Sequence, residues 1–378
     1  MRKIYFTFVI AFLFIGCKEK PSKDQSEATV TESFTVTYAE GFSVTQKKGY
    51  KVLTIHSPWP GADVEYRYAL VEKGDSIDDE EDFDAVLETP VTDVVVTSTT
   101  HIPSLEMLGE TERLVGFPNL DYISSEETRK RIADGQVKEL GKNESLNTEV
   151  LIDLAPDAVV TFAVESANKT VATIEKTGIP VLYNADWTET HPLGKAEWIK
   201  FFGLLFNKEK QADSIFTKIE TEYLAAKKLA QQASEAPTVM AGAMYKDVWY
   251  LPQGDSWAAQ FIEDAKGGYL WAKSEGSGSL SLNLESVLEK AKNADIWIAP
   301  GQYDHMGRLS EAHEVYAQFK AFQENRVYNY TANKGETGGV IYYELAPNRP
   351  DLVLKDLIKI FHPSLLPDYK LYFFSQLK

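Results

Sequence analysis

Between residues 34 and 60 apolar and polar positions alternate, FTVTYAEGFSVT and then GYKVLTIHSPWP, which predicts a β-hairpin turning at 46–49. Val64 to Val71 continues the strand pattern. Beyond Val91 the pattern changes. Short apolar runs (Val91 to Thr97, Arg113 to Phe117, Ala158 to Phe162, Ile179 to Tyr183) alternate with stretches at helical spacing (Ser124 to Ala133, Asn168 to Lys176). That alternation predicts a mostly parallel sheet with crossover helices. From Gly194 to about Gln232 helix formers run with scarcely a break, their apolar face carried by Trp198, Phe201, Phe202, Leu205, Ile215, Ile219 and Tyr223, so one long helix or a bent pair is expected to cross between the lobes. A second alternation starts at Pro237, with strands at Thr238 to Met244, Ile296 to Ala299 and Val327 to Tyr330 and a last long helix at Asp351 to Phe361. The expected fold is α/β, two Rossmann-like lobes with mostly parallel sheets joined by one long helix, plus an N-terminal β-rich extension. The boundaries read as extension 32–90, first lobe 91–194, interlobe helix 195–235, second lobe 236–361 and C-terminal tail 362–378. The extension is expected on the sheet edge of the first lobe.

One unit occurs twice. SLNTEVLIDLAPDAVVTF begins at Ser145 and SLNLESVLEKAKNADIWIA at Ser281. Asn147 and Asn283 are each placed to cap a helix by accepting a backbone N–H. Val150, Leu151 and Leu154, and likewise Val287, Leu288 and Ala291, form an apolar stripe, which leaves Glu149 and Glu285 facing water. A carboxylate in a first turn stabilises its helix by roughly 0.3–1 kcal/mol, which alone accounts for either Glu. Two in one five-residue context, 285 − 149 = 136 residues apart, suit two similar domains rather than a solenoid, and point to paired docking.

The 378 residues, 44% of them hydrophobic, suffice for two cores. The first 16 residues carry only Arg2 and Lys3, so removing them takes the formal charge from −17 to −19. No basic stripe is visible, which argues against nucleic acid. Those 16 residues read as a signal peptide: two cations, then an apolar run from Ile4 to Ile15 that is too short to cross a bilayer. Phe14-Ile15-Gly16-Cys17 resembles a bacterial lipobox, with Cys17, the only cysteine, taking the lipid. Residues 17–31 then form a polar tether. The reading is an exported protein with its body in water, held to a membrane only by that lipid. Lys18-Glu19-Lys20 lacks an acidic run and favours the inner membrane. The loop Asp75 to Asp84, with seven carboxylates, lacks the spacing of a calcium site and reads as a solvated charge run.

No G-x-S-x-G, P-loop or H-E-x-x-H motif is present, and no catalytic residue or cofactor is assigned. Ligands of open α/β sheets sit beyond the carboxyl ends of the strands. The strand-end loops carry His101, Tyr122, Trp187, Tyr245, Trp249, Tyr303 and His305, which makes these seven the cleft candidates. The aromatics could wall a flat or bulky ligand.

The lipobox, the segments VVVTSTTHIPSLEMLGETERLVGFPNLDY and GKNESLNTEVLIDLAPDAVV, the long helix after 194 and the second Glu unit together resemble the substrate-binding proteins of ABC importers. The class has two α/β lobes joined by a rigid helix and includes the ferric-siderophore, heme and vitamin-B12-binding proteins. The resemblance spans about 91–361. It implies a monomer, not an enzyme, that captures a metal chelate between its lobes and hands it to a permease dimer with its ATPase. An iron-siderophore or other ferric complex is the first expectation, cobalamin or heme the second. It also implies that Glu149 and Glu285 dock one on each permease subunit. The contrasting class is an exported enzyme or glycan-binding lipoprotein using the same aromatics.

Overall fold

A computed structural model describes residues 34–77, 81–143, 145–164 and 169–378, together with Met1. Cys17, expected to carry the lipid, the expected tether and, Met1 apart, the expected signal peptide lie outside the described residues, as do Asp78, Asp79 and Glu80 of the acidic loop. The alternating N-terminal stretch forms a four-stranded sheet. β1 (Phe42–Gln46) and β2 (Tyr50–His56) make the expected hairpin, β3 (Glu65–Glu72) is antiparallel to β2, and β4 (Ala85–Thr89) is parallel to β3. One face buries Tyr50, Val52, Ala69 and Val71 under Ile77 and Phe83.

The first lobe has strands β5 (Val94–Val96), β6 (Leu114–Phe117) and β7 (Lys138–Glu139), a small hairpin of β8 (Gly141–Lys142) and β9 (Ser145–Leu146), then β10 (Ala158–Thr161) and β11 (Val181–Tyr183). Its helices are α1 (Ile102–Met107), α2 (Glu126–Ala133), α3 (Thr148–Leu154) and α4 (Lys169–Glu175). The sheet order β11-β10-β5-β6-β7 is parallel throughout. The extension covers its β11 edge, where the Tyr183 N–H donates to the Tyr68 hydroxyl at 3.1 Å and the rings of Tyr66 and Tyr183 lie 4.6 Å apart. An edge N–H that would otherwise be unpaired is thereby satisfied, and the sheet is closed to further strands on that side.

The interlobe stretch is broken into successive helices and is not the single long helix, one of the two forms expected. α5 (Pro192–Glu197) and α6 (Ile199–Leu205) belong to the first lobe, where Leu205 accepts the Val91 N–H at 2.8 Å. Asn207, in the left-handed region at φ 53°, ends that run. Only then does α7 (Glu209–Ala230) begin; its 22 residues reach about 33 Å at 1.5 Å per residue.

The second lobe carries β12 (Thr238–Ala241), the small antiparallel sheet of β13 (Ala243–Tyr245), β14 (Val248–Pro252) and β16 (Ser279–Leu282), and β15 (Gly268–Tyr269), β17 (Ile296–Ile298), β18 (Val327–Asn329) and β19 (Ser375–Gln376). Its helices are α8 (Trp257–Asp264), α9 (Leu284–Ala291), α10 (Met306–Ala312), α11 (Lys320–Gln323), α12 (Ile341–Leu345) and α13 (Pro350–Phe361). The main sheet runs β15-β12-β17-β18-β19, parallel except at β19. In both lobes the first strand lies inside the sheet, and chain order reverses beside it, between β5 and β10 and between β12 and β17.

The repeated unit is built as the sequence implies. Asn147 accepts the Val150 N–H at 3.2 Å and Asn283 the Ser286 N–H at 2.8 Å, while Leu151, Val287 and Ala291 are buried. Its second half does something the pattern did not disclose. Oδ2 of Asp157 accepts the N–H and hydroxyl of Thr92 at 2.7 and 2.6 Å, and Oδ2 of Asp295 accepts those of Thr238 at 2.9 and 2.7 Å. Each unit ties its own strand to the first strand of its lobe.

The segment 362–378 is not a tail. It ends in β19 and buries Phe373 and Phe374, because the Asp356 carboxylate on α13 accepts the N–H groups of Tyr372, Phe373 and Phe374 at 2.8, 2.7 and 2.9 Å. Asp356→Ala would orphan all three donors. We expect it to lower stability by about 3 kcal/mol in urea unfolding; an unchanged midpoint would show that β19 is held by other contacts.

Candidate ligand cleft and exposed first-turn carboxylates

Two cavities open at the reversal points of the sheets. The larger, about 950 Å³, lies at the carboxyl ends of β12 and β17. Gly242 ends β12 at φ +78°, and a Cβ there would stand 1.9 Å from the Tyr250 carbonyl oxygen, so only glycine lets the chain fold back into β13 and β14. The wall is aromatic: Tyr245, Tyr250, Trp257, Tyr303, Tyr330 and Tyr343, with the Arg308 side chain of α10 among them. Tyr342 also lines the cavity, and the rings of Tyr330 and Tyr342 stack with centroids 3.9 Å apart and planes 7° from parallel. Burial pushes both hydroxyls up, so these phenols stay protonated.

The smaller cavity, about 280 Å³, lies at the ends of β5, β6 and β10 and is lined by Thr97, Ser98, Thr99, Phe117, Tyr122 and Phe162. Gly339, Val340, Tyr343 and Glu344, from the chain that leaves β18, close its other side. Among the described residues Tyr343 alone lines both cavities, and it is about half exposed.

Lys195 of α5 reaches from the first lobe to the second. Its ammonium donates to the carbonyl oxygens of Asp186 and Trp187 at 3.0 and 2.9 Å and sits 5.2 Å from the ring centre of Trp257. Burial brings its pKa down to about 8, against the pull of Asp186 and Glu189. Among the described residues no cluster of three or more His, Cys, Asp or Glu side chains could hold a metal ion.

The seven cleft candidates divide. Tyr245 and Tyr303 line the large cavity and Tyr122 the small one. Trp187 lines neither, and acts through its carbonyl on Lys195. His305 also stands outside; its Nδ1 caps α10 by accepting the Arg308 N–H at 3.2 Å. Two assignments are corrected. Trp249 is fully buried, its indole N–H donates to the Ala241 carbonyl at 3.0 Å, and its ring packs on Trp297 and Phe319. His101 is equally buried, beside Phe202, and neither ring nitrogen has a hydrogen-bond partner among the described residues. Sequence position placed both at strand ends, but packing turned them inward.

Six wall residues escaped the sequence reading. Tyr250 was the recoverable one: side chains alternate along a strand, so on β14 a buried Trp249 sends Tyr250 outward. Trp257, Arg308, Tyr330, Tyr342 and Tyr343 reach the site only through tertiary folding. Glu149 and Glu285 are both exposed in the first turns of α3 and α9, as expected, and neither is paired among the described residues.

Residues 94–333 match the model of the periplasmic binding protein family. The chain is similar to an uncharacterized lipoprotein of Methanocaldococcus jannaschii, 28% identical over 298 residues that cover 76% of this chain and 69% of that protein. Among solved structures it resembles a possible iron-binding, periplasmic solute-binding protein of Staphylococcus epidermidis (TM-score 0.56, 20% identity, 72% of this chain and 99% of the other). It also resembles the periplasmic heme binding protein HutB of Vibrio cholerae (TM-score 0.55, 15% identity, 70% and 99%). At these identities the structural likenesses establish the two-lobed fold.

The correction at His101 is testable. Burial lowers its pKa from 6.5 to about 4, so the folded protein keeps it neutral while the unfolded chain protonates it. Its contribution is therefore present above about pH 6.5 and lost as pH falls toward 4. His101→Leu should remove that component, match or exceed wild-type stability at pH 7 by up to about 1 kcal/mol, and leave ligand affinity unchanged. A loss of affinity would return His101 to the site.

Proposed function

The chain belongs to the periplasmic binding protein family, whose members are substrate-binding proteins and not enzymes, and on that premise we propose that it captures a ferric chelate, first of all an iron-siderophore, for an ABC importer. The observation that carries this reading is the aromatic cavity at the second lobe's reversal point. Its volume, about 950 Å³, is at the upper end for small-molecule sites. Arg308 offers a cation to an anionic complex. The metal would arrive inside its chelator, in keeping with a wall of phenols and indole rather than of metal ligands. Heme is the second reading, favoured by the flat Tyr330–Tyr342 stack and by the likeness to a heme-binding protein. Cobalamin and glycans would use the same wall.

Delivery rests on Glu149 and Glu285. Matched exposed carboxylates, one per lobe, can meet a two-fold permease with one basic site on each subunit, and charge complementarity would fix register and speed encounter. The protein would work as a monomer in the periplasm, held to the inner membrane by a lipid on Cys17. No helix among the described residues is long and apolar enough to cross a membrane, and similarity to a lipoprotein supports the anchor.

Two measurements test the reading. Calorimetric titration with ferric siderophores, heme and cobalamin should give micromolar or tighter binding to one of them, about −8 kcal/mol, weakened at least tenfold by Tyr343→Ala. Saturation by none of the three would end the chelate assignment. Separately, the double variant Glu149→Arg, Glu285→Arg should bind as wild type yet abolish uptake in cells; undiminished uptake would end the docking assignment.

A further inference from the structure

Between β18 and α13 the chain leaves the second lobe's sheet and lies against the first lobe. Thr337 donates its hydroxyl to the Asp121 carbonyl at 2.7 Å, and the Asn348 amide bridges the Ser104 hydroxyl and the Thr100 carbonyl at 2.9 and 2.8 Å. A Cβ on Gly339 would stand 2.7 Å from the Ser124 hydroxyl, so the two segments touch where only glycine fits. At the centre of this contact is a buried carboxylate. Glu344, on α12, accepts the backbone N–H groups of Ser124 and Ser125 at 2.6 and 2.9 Å. These donors stand at the start of α2, which Ser125 caps, and the amides at a helix start favour negative charge. The neighbouring residue on α12 is Tyr343, which lines both cavities.

We propose that Glu344 is a positioning residue of the ligand cleft: bonded to the Ser124 and Ser125 amides across the lobe boundary, it latches α12 to the first lobe and thereby sets Tyr343 in the wall shared by both cavities. The proposal rests on the cleft reading given above. A buried carboxylate is a costly way to attach a surface arm, and a second, Glu106 of α1, faces the same helix start, accepting from the hydroxyls of Ser125 and Thr128. Two acidic groups converging on α2 make this attachment sensitive to charge in a way an apolar contact would not be.

The surroundings give the sign of that sensitivity. Burial, with repulsion from Glu106, raises the Glu344 carboxyl from 4.5 to about 7, while the two amides pull the other way. Arg129 of α2 gives its guanidinium to the Leu120 carbonyl and, at 4.0 Å, to Asp121; Glu126 and Glu127 lie in α2's first turn, and Tyr342 and Tyr343 flank Glu344 on its own helix. A released, solvated carboxyl would lose its proton near 4.5, whereas the latched one keeps it to about 7, so acidification between these values favours the latched state.

The test uses hydrogen exchange on the full chain with Glu344→Ala and Glu344→Gln. Alanine should speed exchange at the Ser124 and Ser125 amides at least tenfold while Val239 to Ala241 in β12 stay as in wild type. Glutamine, with one acceptor oxygen left, should give an intermediate effect. Nitration of Tyr343 by tetranitromethane should change rate in the alanine variant. For the chelate that binds, wild-type affinity should rise as pH falls from about 7 toward 4.5, and this slope should vanish in Glu344→Gln. Unchanged exchange at both amides in Glu344→Ala, or the same pH slope in Glu344→Gln, overturns the proposal. Exchange and nitration need no ligand, so a wild type that binds none of the chelates defeats the functional reading and leaves the latch decided on its own data.

Discussion

Each lobe depends on one aspartate at the start of a strand. Asp157 holds the N–H and hydroxyl of Thr92, and Asp295 those of Thr238, so β10 enters the sheet in register with β5, and β17 with β12. A side-chain period of two makes register decisive, since a slip of one residue turns every side chain to the other face. With register fixed at their beginnings, the four strands end at defined heights, and the loops that leave them open the cavities. Asp295 is further held by Lys320 at 2.7 Å, and these bonds keep its carboxyl well below the usual range despite some burial. The same unit that carries the exposed Glu on its first turn thus also shapes the cleft on the opposite end of its strand.

That coupling explains what the sequence disclosed. The helix caps, the strand runs and the two-lobe plan follow from local spacing, and Asn147, Asn283, Glu149 and Glu285 stand where spacing puts them. Three strands of the extension were visible in their alternation, the fourth, β4, was not, and the extension's place on the β11 edge follows from a tyrosine hydroxyl that meets an edge N–H. What escaped depends on contacts distant in sequence. Asn207 in a left-handed conformation stops a run of helix formers that shows no proline or glycine at that point. Residues 362–378 resemble a tail until Asp356 is seen to gather their amides. Asp157 and Asp295 look like turn residues until their partners, 65 and 57 positions away, are known.

The cleft was legible in kind more than in detail. Tyr122, Tyr245 and Tyr303 do reach cavities, while His101 and Trp249 occupy cores behind them. Strand-end loops supply both the side chains that face a ligand and those that hold the loop down, and position in the chain does not separate the two. The wall that results is rich in phenols, of which burial keeps those of Tyr330 and Tyr342 protonated, and among the described residues it carries the guanidinium of Arg308. Among the described residues, α7, Lys195 beside the ring of Trp257 and the arm around Glu344 all connect the lobes.

The central proposal is that a ferric chelate rests in the larger, aromatic cavity. It is tested most directly by anomalous scattering from iron in crystals of the protein with the ferric chelate that binds it. The account predicts a single iron peak inside the aromatic cavity, bordered by Tyr245, Tyr303 and Tyr343. A peak at the exposed His305, at the carboxylates of the acidic loop, or nowhere on the protein would contradict it.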